Sequence, residues 1–129
     1  MSVNVSDRVI LKKIYNMYLS DFKEFDEESR MSKVYVPIDC DLIAKNLNMD
    51  PEIVFGRLYY HLEKKHGYKN STGVVNFFRL KIDKGRHVIN FPLLSAVLAE
   101  EEQSFLRFTI PITLSLIALG VSVFTLATK

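Results

Sequence analysis

Eight lysines and arginines fall between positions 57 and 87 (57, 64, 65, 69, 79, 81, 84 and 86) against two acids (63 and 83), a local net charge of +6. Residues 1–56 carry seven against ten, a net of −3, and the whole 129-residue chain stands at +2. Positive charge is therefore polarised toward the middle of the chain. A cluster of this kind can meet phosphates, or it can be an ordinary solvated face. The other reactive residue types form no such group. His61 and His66 are five apart, about 140° around a helix, and His87 is distant in sequence. There is no glycine-rich phosphate loop, no nucleophile elbow and no pair of histidines at ligand spacing, so neither an enzyme nor a cofactor is expected. The acids of 21–30 (DFKEFDEESR) alternate with Lys23 and Phe25 and lack metal-ligand spacing, which reads as a solvated loop. The lone Cys40 excludes a disulfide within the chain and suits a reducing compartment. A helix first turn can activate a thiol, but an inert structural thiol is the ordinary outcome.

The elements that must position the cations centre on 39–68. Asp39 can cap a helix with Asp41 in its first turn, and Leu42, Ile43 and Leu47 give it an apolar stripe beside the small Ala44. Asn48-Met49 makes the turn. Asp50-Pro51 restarts the chain as a cap and a proline at the first helical position. Val54, Leu58 and Leu62 then fall on one face of a second helix that ends at Gly67. Ahead of this pair, Ser6-Asp7 opens a helix to about residue 25 with Ile10, Ile14, Tyr18, Phe22 and Phe25 on its buried side. A short strand, 33–36, follows and is expected to end at Pro37. Beyond Tyr68, 69–73 is a turn, and 74–82 and 87–91 are strands around a turn at 83–86. Alternation puts Phe78, Leu80 and Ile82 on one face of the first strand and Arg79 and Lys81 on the other.

Ala44-Lys45-x-Leu47, the cap at Asp50, then Val54, Leu58, Leu62-Glu63 and a terminal glycine followed by Tyr68 resemble the helix-turn-helix core of winged-helix proteins. The order helix, strand, helix, helix, two-stranded wing extends the likeness to about 3–91. Asn48 stands where that family often has glycine, and His66 adds a residue before Gly67. The resemblance implies an α+β winged-helix domain over 1–91, with the second helix and the wing meeting a DNA duplex. The residues it assigns to nucleic acid are Arg57, Tyr60, Lys64, Lys65, Lys69, Lys81, Lys84 and Arg86. On a regular helix Ile53, Gly56, Arg57, Tyr60 and Lys64 face outward. Arg57 then suits a guanine edge, Ile53 a thymine methyl, and Tyr60 and Lys64 phosphates. With Arg57 as the one strong base reader, the same apolar-aromatic face also describes a surface for a protein partner.

Pro92 can open a juxtamembrane helix over 92–107, with Leu94, Val97, Leu98, Phe105 and the boundary residue Phe108 broadly to one side, interrupted by Glu100–Glu102. Pro111 predicts a break there, with Thr109 capping a new helix. The 21 residues of 108–128 carry no charge and at about 1.5 Å per residue can cross a hydrocarbon core of roughly 30 Å. Ser115, Ala118, Ser122 and Thr125 line one side of that segment and fit self-association of membrane helices. No apolar run follows Met1, so the leading domain is expected in the cytoplasm with 108–129 as a single-pass anchor. The sequence thus predicts a membrane-tethered DNA-binding regulator that forms a homo-oligomer. Its alternative is an anchored interaction or effector protein.

Overall fold

The computed structural model describes residues 5–28, 30, 32–83 and 86–128. It divides into two compact units, Met1–Leu98 and Ala99–Lys129. The first is α+β. Helix α1 (Asp7–Lys23) is capped by the Ser6 hydroxyl, which accepts from the Val9 amide, and buries Ile10, Leu11, Ile14 and Tyr18. After α1, Arg30 ties the loop together by donating to the carbonyls of Asp21, Ser32 and Lys33. Strand β1 (Tyr35–Ile38) comes next. Pro37 lies inside it instead of ending it, paired with Val88. That is permissible because β1 is the edge of a three-stranded antiparallel sheet of order β1-β5-β4, so the missing N–H can face away from its neighbour.

Helix α2 (Cys40–Leu47) starts at Asp39, whose carboxylate accepts from the Asp41 and Leu42 amides, and stops at Asn48 in the left-handed region, φ 54°. The Asp39 amide itself donates to the Tyr18 hydroxyl at 2.9 Å, joining this cap to α1. A helical run then occupies 51–66 in three parts: α3 (Pro51–Gly56), a π-helical segment (Arg57–Leu62) and α4 (Glu63–His66). Gly67 terminates it in extended backbone. Glycine is needed there for space, since a Cβ would stand 2.6 Å from the Glu63 carboxylate and 2.7 Å from its carbonyl.

The expected long strand 74–82 is two strands. β2 (Tyr68–Asn70) and β3 (Gly73–Val75) make a small exposed hairpin of their own. The chain then turns at Asn76-Phe77 into β4 (Phe78–Asp83), which pairs with β5 (Arg86–Asn90). Glu63 causes the break. Its carboxylate accepts from the Phe77 amide at 2.6 Å, the Phe78 amide at 2.8 Å and the Asn76 side chain at 2.8 Å. Those amides cannot also serve a ladder. The expected alternation fails as well: Phe77 and Phe78 are both buried, while Leu80 is exposed. The register shifts between Arg79 and Asp83, and Lys81 adopts φ 38°. An irregularity of this kind re-aims the side chains that follow it.

Asn90 is buried and its side chain accepts from the Leu93 amide, capping α5 (Phe91–Ala127). Phe91, Leu94, Val97 and Leu98 complete the first unit's core with residues of α1, β1, α2 and the helical run. Helix α5 does not divide at Pro111, contrary to the sequence expectation. Proline there forfeits the bond to the Arg107 carbonyl and crowds it, and the helix continues through the apolar residues on either side. In the second unit, Phe108 and the apolar side chains beyond it are exposed, and this stretch is long and apolar enough to cross a membrane.

Candidate interaction surface

The π-helical segment sets which side chains each row of 51–66 presents. In a regular α-helix, residues four apart drift by about 40° per step; a wider turn of roughly 4.4 residues drifts the other way. Together they hold four-residue spacings in line. Val54, Leu58 and Leu62 are accordingly all fully buried. Phe55, Tyr59 and Glu63 form the row toward the wing. Phe55 lies 5.8 Å and Tyr59 6.4 Å from Phe78, and Glu63 holds the Phe77 and Phe78 amides. Arg57 and His61 form the row toward α1, both on Asp7. The outward row is Glu52, Gly56, Tyr60 and Lys64, with Tyr60 71% exposed.

Arg57 therefore does not stand free on the outward face. Its guanidinium bonds Asp7 through Nε and Nη2 and the Val5 carbonyl at 2.8 Å. A side chain next to Leu58 lies only about 100° from the buried face, and its length lets it reach the start of α1. His61 Nε2 lies 2.9 Å from the other Asp7 oxygen. Burial raises the Asp7 pKa, but the bonds from Arg57 and His61 outweigh it and hold the carboxyl below its ordinary value.

Tyr60, Lys64, Lys65, Lys69, Lys81 and Arg86 are all exposed, and Lys84 lies outside the described residues. Lys64 and Lys65 close the helical run and Lys69 follows on β2, whereas Lys81 and Arg86 belong to β4 and β5. The fourth wing cation, Arg79, lies over the Tyr35 ring at 5.5 Å. The Lys81 amide donates to His87 Nδ1 at 3.1 Å. Burial, with the Lys81 charge second, lowers the His87 pKa. His87 also lies 5.3 Å from Phe55 and 5.4 Å from Phe78, in a cluster of rings between helix and wing.

Where α2 and α3 begin beside β5, an open cleft of about 450 Å³ is lined by Ile38, Asp39, Cys40, Asp41, Pro51, Glu52, Phe55, Arg86 and His87. Its lining includes three acidic residues and one arginine. Cys40 is half-buried there. Burial, then Asp39 and Asp41, pushes its thiol up to about 11, which makes it a poor nucleophile. Among the described residues no group of three or more His, Cys, Asp or Glu is placed to hold a metal ion.

On α5, Ser115, Ala118, Ser122 and Thr125 are exposed, and the Thr125 hydroxyl donates to the Val121 carbonyl of its own helix at 2.9 Å. Sequence reasoning missed Asp7, Glu63, and the Phe55–Tyr59–His87 cluster as parts of this surface. A four-residue recurrence of Phe55, Tyr59 and Glu63 beside Val54, Leu58 and Leu62 was the available signal. Comparison with protein-family models, curated proteins and solved structures finds no match for this chain.

Proposed function

We propose that the first unit is a winged-helix domain used for protein recognition, held at a membrane by residues 108–128 as a single span. The element order and the β1-β5-β4 sheet support the fold reading. The uncharged stretch after Arg107 supports the anchor. The observation that carries the choice of ligand is charge at the start of α3. Arg57 is committed to Asp7, and the cleft where α2 and α3 begin is lined by Asp39, Asp41 and Glu52 as well as Arg86. Phosphates laid along this helix start meet carboxylates. The outward row itself, Glu52-Gly56-Tyr60-Lys64, carries no net charge. In this reading the first unit faces the cytoplasm, with Arg107 at the membrane boundary.

A DNA duplex is the second reading, favoured by the exposure of Lys64, Lys65, Lys69, Lys81 and Arg86. Titrating the full chain, in zwitterionic nanodiscs, with duplex DNA at physiological ionic strength, and then across a range of salt, separates the two. The protein reading expects binding no tighter than about 10⁻⁴ M and no change with Lys81→Ala or Arg86→Ala. Binding tighter than about 10⁻⁶ M, with the salt slope falling by roughly one unit per cation removed, supports the duplex instead.

A further inference from the structure

The outward row is self-complementary. Glu52, Gly56, Tyr60 and Lys64 are spaced four apart and symmetric about Leu58, so a second copy run antiparallel sets acid against base at both ends and Tyr60 against Gly56 between them. We propose that this ridge is the contact between two copies of this chain, related by a two-fold axis. The inference rests on the reading above that the surface engages protein.

Charge complementarity carries the choice of occupant. A purely basic partner matches Glu52 and is repelled by Lys64, and an acidic one does the reverse. An antiparallel second copy satisfies both ends twice, which is the property of an isologous interface. At the centre, Tyr60 is 71% exposed and its ring lies over its own Gly56, where a Cβ would stand 3.7 Å from it. An exposed tyrosine at the centre of a surface is the residue type that anchors interfaces. One ridge against another buries less than the roughly 1,200 Å² of a stable complex, so the contact needs help. Confinement to a membrane supplies it by raising effective concentration.

The negative Glu52 and positive Lys64 also suit the ends of their own helix, so the test reverses them in combinations. Full chain, half of it ¹⁵N-labelled, is reconstituted in zwitterionic vesicles and treated with a zero-length carbodiimide cross-linker. The expected product is a mixed-label peptide joining Glu52 to Lys64 or Lys65. Glu52→Lys alone and Lys64→Glu alone should each reduce intermolecular products at least tenfold. Mixing these two variants, or combining both changes in one chain, should restore them, because unlike charges then face each other again. Absence of the mixed-label peptide in the unmodified chain, or indifference to reversal, or failure to recover on mixing overturns the proposal. If duplex titration is also negative, only the dimer falls. If the duplex binds, the protein reading falls with it.

Discussion

Replacing Glu63 by alanine should be the most damaging single change to the helix–wing junction. The carboxylate accepts from two backbone amides, Phe77 and Phe78, both in fully buried residues, and from the Asn76 side chain. Stranding a buried donor costs about 1–3 kcal/mol, and bonds to a charged group lie toward the upper end. Water admitted into the vacated space recovers part of this, leaving a net cost of about 3 kcal/mol. For a unit of this size each kcal/mol lowers the melting midpoint by about 4–8 °C, so a fall of at least about 10 °C is expected. Thermal unfolding of the full chain in detergent, followed by circular dichroism, measures the midpoint. Hydrogen exchange locates the loss at the Phe77 and Phe78 amides. Glu63→Gln keeps an acceptor and should cost about half as much. Gly67→Ala should loosen the same amides by displacing the carboxylate, since the added Cβ falls 2.6 Å from it. A shift below about 2 °C for Glu63→Ala, with both amides still protected, would mean that the carboxylate does not hold the junction.

Three further outcomes follow from the titrating groups. The Asp7 carboxyl is depressed in the folded chain, so its contribution to stability is fully present above the ordinary value of 3.8 and is lost as pH falls through the folded one; Asp7→Asn should lower stability at pH 7 and remove that acid limb from a plot of melting midpoint against pH. His87 is also depressed, below 6.5. The unfolded chain then takes up the proton first, so stability drops as pH falls below about 6.5, and His87→Gln should flatten that part of the profile. Cys40, raised from 9.0 to about 11, should react with a maleimide at least about 10-fold more slowly at neutral pH than an unperturbed thiol, as timed by mass spectrometry.

Local chemistry was legible in the sequence. Ser6, Asp39 and Asp50 cap the helices that they were expected to cap, and Asn48 takes the left-handed turn, because such signals act within three or four residues. The strand content of 74–90 was visible, but its division was not, and neither was β2, which lies largely in the expected turn 69–73. Glu63 and Phe77 are fourteen residues apart, and nothing in an alternating apolar pattern announces that a carboxylate will take two of its amides. Arg57 was misplaced for a similar reason. Its partner Asp7 is fifty residues away, and a regular helical wheel ignores the wide turn of 57–62. Pro37 and Pro111 misled in opposite settings. A proline ends an inner strand or a water-exposed helix, but an edge strand and an apolar helix can absorb the missing bond.

What position 60 touches in a living cell decides between protein and duplex as the occupant of the ridge. A photo-crosslinking benzoyl-phenylalanine at position 60 of the full chain, irradiated in cells and analysed from the membrane fraction, reports the occupant of the ridge. A two-fold contact through the ridge gives a nuclease-resistant adduct of protein on protein, containing a second copy of this chain. A nuclease-sensitive adduct in its place would contradict it.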